Sequence, residues 1–285
     1  MKNKKIFLVL VFILLLSFPC LSFSENIGSQ GSFQLVNNAW QAYDQDDLDA
    51  VLMYTDQCIN RYGKTAQRMQ GRLTDYPDGE KKSISSFWAL NDVSTAYYIK
   101  ADSLRKAGRV TDAQPVFQEL IDKFYFGQCW DSHGWYWSPA EAAKQRLVII
   151  EENSPYDFDD LRSQALVLKA WQALSEKDFD AVLAYTNKCI EFYSIQAREM
   201  QESLSQYPLG RSNIFNYWAL NDVATAYFIQ AEVLRATGKV REAKKAYREL
   251  VSEYRFGQCW DPKGWFWKPA QAAEEKLHEI YVKGK

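Results

Sequence analysis

Of 285 residues, 47% are hydrophobic and 25% charged, enough apolar material for a large packed core and too much for a disordered chain. Lys and Arg number 34 against 36 Asp and Glu, a formal charge of −2, which excludes a partner recognised by phosphate neutralisation, so nucleic acid is not expected. Phe, Trp and Tyr make up 15% of the chain, and where they cluster is the main functional signal.

The first element is a secretory signal. Lys2, Lys4 and Lys5 precede an unbroken apolar run from Ile6 to Leu16, followed by small or polar residues through Ser22-Phe23-Ser24, the order of a cleavable export peptide. The run is shorter than the ~20 residues of a bilayer-spanning helix. Residues 1–24 are therefore expected to be removed, leaving no membrane span. Cys20 follows Phe18-Pro19 instead of the small residues of a lipid-attachment box. Cleavage before Glu25 removes three lysines and no acid, taking the formal charge from −2 to −5. No Asn-x-Ser/Thr sequence occurs, which favours a bacterial envelope, and the expected location is periplasmic or secreted. Residues 25–32, rich in Ser, Gly and Gln, read as a flexible leader.

The rest of the chain is one unit written twice. Ala39-Trp40-Gln41-Ala42 returns as Ala170-Trp171-Gln172-Ala173, and Cys58 as Cys189, each 131 residues later. After Tyr76-Pro77 and its twin Tyr207-Pro208 the offset falls to 130, so that Trp88 to Val93 recurs at Trp218 to Val223 and Phe126 to Asp131 at Phe256 to Asp261. The expected modules are 33–150 and 163–285, joined by the acidic, proline-broken linker 151–162.

Each module opens with a helix around Ala39-Trp40 or Ala170-Trp171, then a long helix whose apolar spacing runs through Ile59, Tyr62, Ala66, Met69 and Leu73 to Pro77, and through Ile190, Tyr193, Ala197, Met200 and Leu204 to Pro208. Next come Tyr97, Ala101, Leu104, Gly108, Ala113, Phe117 and Leu120, matched by Tyr227, Ala231, Leu234, Gly238, Ala243, Tyr247 and Leu250. This pattern resembles a tetratricopeptide repeat: small alanines let two antiparallel helices approach, glycine turns the chain, and the larger residues fill the groove. The upstream hairpin resembles the same motif in degenerate form. A last helix begins at Pro139 or Pro269, where proline suits the first turn. The fold class is all-α, a solenoid of two tandem modules of about five helices each, with small Trp-rich insertions.

The insertions, Phe126 to Trp137 and Phe256 to Trp267, have no counterpart in the repeat family. Asp261-Pro262-Lys263-Gly264 has turn chemistry, and Asp131-Ser132-His133-Gly134 keeps its Asp and Gly. Each block reads as an aromatic hairpin or compact loop. Trp130, Trp135, Trp137, Trp260, Trp265 and Trp267 have two readings: a packing cap on the helical stack, or a platform for sugar rings or a peptide, with Trp135 and Trp265 beside the turn as first candidates. The four remaining cysteines fall two to a copy, and an even count in an exported chain favours disulfides, Cys58 with Cys129 and Cys189 with Cys259. Each would close a loop of about 70 residues, worth on the order of 4 kcal/mol. Four buried thiols are the alternative.

No catalytic machinery is expected. His133 lacks a twin, no closely spaced Cys pair offers a metal site, and no Gly-rich phosphate loop or dinucleotide fingerprint implies a cofactor. Asp131 and Asp261 are the only acids within the aromatic blocks and are better explained as turn residues than as a glycosidase pair. Asn91-Asp92 and Asn221-Asp222 sit where a helix begins and suit helix-end hydrogen bonding. The reading is a non-catalytic scaffold binding an envelope protein or peptide. Its alternative is a carbohydrate-binding or carbohydrate-active protein recognising glucan or peptidoglycan through the tryptophans.

Overall fold

The computed structural model describes residues 31–77, 79–130, 136–261 and 264–283. The signal peptide, leader residues 25–30, Asp131, His133 and Trp135 lie outside them. The first copy comprises α1 (Ser32–Asp44), α2 (Leu48–Gln70), α3 (Lys81–Ser86), α4 (Trp88–Lys106), α5 (Val110–Lys123), the strands β1 (Cys129–Trp130) and β2 (Tyr136–Trp137), and α6 (Pro139–Glu152). The second repeats the order as α7 (Ser163–Glu176), α8 (Phe179–Glu202), α9 (Arg211–Phe215), α10 (Trp218–Ala236), α11 (Val240–Glu253), β3 (Cys259–Asp261), β4 (Trp265–Trp267) and α12 (Pro269–Lys283). The protein is all-α, built of helical hairpins, and its only described strands form the two small hairpins.

The central helix of each copy explains the rest. α4 packs against α1, α2, α5 and α6, and α10 against α7, α8, α11 and α12. Surrounded in this way, it is apolar or small on most faces: Ala89, Leu90, Val93, Ala96, Ile99 and Ala101 are fully buried, as are Ala219, Leu220, Val223, Ala224, Ala226, Ile229 and Ala231. The turn to the next helix is a Schellman closure. Gly108 has φ +76, its N–H reaches the Arg105 carbonyl at 2.9 Å, and the Arg109 N–H reaches the Leu104 carbonyl at 2.9 Å. Asp47 and Asp178 cap α2 and α8 by accepting from Ala50 and Ala181, and Ser138 caps α6.

Two expectations need adjustment. The long helices stop at Gln70 and Glu202, short of Leu73 and Leu204, which reach their cores from the turn that follows. The apolar rhythm continued where the helical hydrogen bonding did not. The short helices α3 and α9 were not expected, and each is pinned by one buried residue, Ile84 or Ile214.

The stretch read as a linker is tightly held. Phe158 and Leu161 are buried with the second core, Phe158 edge-on to Tyr185 at 5.3 Å. From the first copy, Arg146 Nη1 donates to the Phe158 carbonyl at 2.8 Å and Nη2 to the Asp159 carbonyl at 2.5 Å. Arg105 Nη1 reaches Asp159 Oδ1 at 2.8 Å. Both arginines converge on buried Asp102, Arg105 Nε at 2.7 Å and Arg146 Nε at 3.3 Å, while the Tyr43 hydroxyl donates to it at 2.6 Å. Burial alone would raise the Asp102 carboxyl, but the Arg146 and Arg105 guanidiniums hold it below its ordinary value.

Candidate interaction surface at the aromatic hairpins

Each hairpin is seated on its central helix by one repeated device. Gln128 N–H donates to Asn91 Oδ1 at 2.9 Å, while Asn91 Nδ2 donates to the Ile84 carbonyl at 2.9 Å. In the second copy Gln258 N–H donates to Asn221 Oδ1 and Asn221 Nδ2 to the Ile214 carbonyl, both at 2.8 Å. One amide thus ties hairpin, central helix and short helix together. Gln70, the last residue of α2, and Gln201, the last but one of α8, accept from Phe126 and Phe256 N–H at 3.0 and 2.8 Å. Gly127 and Gly257 allow this approach: a methyl on Gly127 would lie 2.0 Å from Ser94 Oγ, and one on Gly257 2.6 Å from Ala224 Cβ.

Strand pairing then sorts the side chains. Cys259 pairs with Trp267, Trp260 with Phe266 and Asp261 with Trp265. Because strand residues alternate, Trp265 and Trp267 share one face, Trp260 and Phe266 the other. Trp267 packs edge-on against Phe228 of α10 at 5.1 Å, and Trp137 against Tyr98 of α4 at 5.3 Å. On the opposite face Phe266 meets Trp260 at 4.9 Å and Phe215 of α9 at 5.6 Å. The first copy has Ser85 where the second has Phe215. Trp130, edge-on to Tyr136 at 4.9 Å, is accordingly 51% exposed, whereas Trp260 is half-buried. Beyond the covered part of the hairpin, Trp265 is 52% exposed. Gly264 at φ +100 closes the turn, its N–H donating to the Asp261 carbonyl at 2.9 Å.

Trp137 and Trp267 therefore act as packing residues and Trp130 and Trp265 stand outward, with Trp260 between. Sequence reasoning missed the residues that cover the hairpins. Lys81, the first residue of α3, lies 5.4 Å from the Trp130 ring centre. Its twin Arg211, the first residue of α9, lies 4.4 Å from that of Trp260 and 5.6 Å from that of Phe215. The duplicated charge at positions 81 and 211 was the available signal.

The disulfide expectation is corrected: none of the four cysteines is joined in a disulfide. Cys58 and Cys189 are fully buried within α2 and α8, the Cys189 sulfur turned to the Ser163 carbonyl at 4.0 Å. The Cys129 and Cys259 sulfurs lie 3.8 Å from the carbonyls of Trp130 and Trp260. A disulfide needs its two sulfurs about 2.05 Å apart, and all four described cysteines are free. Burial, with the charge of Asp92 adding to it, pushes the Cys58 thiol up to about 12.

Asp92 and Asp222 serve as anchors. Ser32 and Ser163 Oγ donate to them at 2.5 and 2.6 Å, fixing the start of α1 and α7 to the central helix. Burial pushes the Asp222 carboxyl up to about 6, although the Ser163 hydrogen bond acts in the opposite sense. Among the described residues no group of three or more His, Cys, Asp or Glu side chains gathers as a metal site would require, and no helix is long and apolar enough to cross a membrane.

A family model described as tetratricopeptide repeat matches residues 95–124 and 225–255, the α4–α5 and α10–α11 hairpins. Neither a curated protein nor a solved structure matches the chain.

Proposed function

We propose that this chain, which carries a tetratricopeptide repeat in each of its two copies, is an exported, non-catalytic scaffold that holds a protein or peptide partner in the bacterial envelope through its aromatic hairpins. Tetratricopeptide repeats suggest protein interaction as the general function, and stacked helical hairpins leave long surfaces free for it. The observation that carries the reading is the outward stance of Trp130 and Trp265 on hairpins that are otherwise clamped. Such rigid aromatic rings lose little entropy on binding and suit interface hot spots. The competing reading, glucan or peptidoglycan binding, rests on the exposed ring of Trp265.

The test is co-purification from an extract of the native host, comparing the wild type with Trp130→Ala and Trp265→Ala. The scaffold reading expects a stoichiometric protein partner that is lost or weakened in these variants. Unchanged recovery of that partner contradicts the hairpin site. Retention on insoluble glucan or peptidoglycan, abolished by Trp265→Ala, supports the carbohydrate reading instead. N-terminal sequencing of envelope material should begin near Glu25, and an intact Met1 on a membrane-bound product contradicts export by cleavage.

A further inference from the structure

We propose that Lys81 and Arg211 make the two hairpins receptors for carboxylate side chains, so that the partner presents an acidic polypeptide segment interspersed with aromatic or aliphatic residues. This rests on the hairpins being the contact site. The two cations occupy equivalent positions, each opening the short helix that covers its hairpin, and each lies over the equivalent tryptophan. The duplication kept the charge while changing Lys to Arg, although the next residues diverged from Lys82 to Ser212 and from Ser85 to Phe215. Both cations are exposed, and neither has a salt-bridge partner among the described residues.

A cation held over an indole is partly immobilised by the ring, while the N–H groups directed away from it stay available for an oxyanion. For Arg211 the planar fork can bind a carboxylate bidentately, and Lys81 offers a point charge for the same purpose. Beside Arg211, Phe215 and Leu209, two residues before it, are 45% and 80% exposed and would receive the apolar side chains of the segment. A neutral sugar ring fits less well at Trp130 and Trp260, since a cation already lies over each indole and a second ring packs against it at 4.9 Å.

The probes are a random copolymer of glutamate and tyrosine, and a soluble neutral β-glucan, each titrated against the full chain with tryptophan fluorescence as the readout. The copolymer should bind with an affinity that falls as salt rises. Replacing both cations, Lys81→Gln with Arg211→Gln, should weaken it roughly tenfold or more, as loss of charge-assisted hydrogen bonds implies, and flatten the salt dependence. The charge-keeping pair Lys81→Arg with Arg211→Lys should retain binding. Equal binding and equal salt dependence in the Gln pair overturns the proposal, as does a response to the glucan with none to the copolymer. The native-host co-purification separates the two levels. If the tryptophan variants lose the partner and the Gln pair keeps it, the hairpin site stands and its acidic ligand falls. If the tryptophan variants keep the partner, the hairpin site itself falls.

Discussion

Asn221 accepts the Gln258 N–H through Oδ1 and donates to the Ile214 carbonyl through Nδ2, each at 2.8 Å, so one side chain fixes hairpin, central helix and short helix in the second copy. Asn221→Ala leaves a buried N–H and a carbonyl without their partners, a cost of about 1–3 kcal/mol per unsatisfied group. Urea unfolding should show that loss, and hydrogen exchange should show deprotection concentrated at Gln258 and its strand. Uniform deprotection across α10 would mean the amide serves the helix, not the hairpin.

Stability should depend on pH through Asp222. Its folded pKa, about 6, stands above the ordinary 3.8, so the folded chain holds a proton that the unfolded chain releases. The stabilisation is complete below the ordinary value and is lost as pH rises through about 6. Asp222→Asn should flatten this decline and recover on the order of 1–3 kcal/mol at pH 7, at about 1.4 kcal/mol per pKa unit. Denaturant midpoints measured from pH 4 to 8 decide it; an unchanged slope in the variant contradicts the assignment.

The cysteines should behave as thiols of two kinds. In the folded protein a thiol reagent should modify the half-buried Cys129 and Cys259 before the fully buried Cys58 and Cys189. Denaturation should expose all four. Peptide mapping that finds Cys58 linked to Cys129 would contradict the structure.

The junction between copies should tolerate little change. Arg146 binds two linker carbonyls and faces buried Asp102, and removing one member of a buried charge cluster costs about 3–5 kcal/mol. Arg146→Met should therefore lower the thermal midpoint strongly. Arg235→Ala, which breaks the more exposed pair with Glu232, should cost less than about 1 kcal/mol. Equal losses would show that the linker clamp contributes nothing.

The helical repeat was legible because its signal is local: Ala101 and Ala113, Gly108 and the residues between them fall within one hairpin, and the second copy repeats them. The closure of the Gly264 N–H on the Asp261 carbonyl was legible for the same reason. The cover of the hairpins was not. Lys81 meets Trp130, and Arg211 meets Trp260, across about 50 residues of sequence, and only the short helices α3 and α9 bring them together. An even cysteine count suggested pairing, but counting carries no information about where a sulfur points. The ends of α2 and α8 were overrun because Leu73 and Leu204 keep helical spacing while packing from a turn.

The central claim, that the hairpins are where a protein partner sits, is tested most directly by a photo-crosslinking residue placed in turn at position 265 and at position 195. Ile195 is also strongly exposed, at 73% against 52% for Trp265, but lies on α8, which packs chiefly against α7 and α10, so exposure alone would favour it. Irradiation in the native host should yield a discrete protein adduct from position 265 and none from 195. An adduct from 195 alone, or equal labelling from both, would contradict the account.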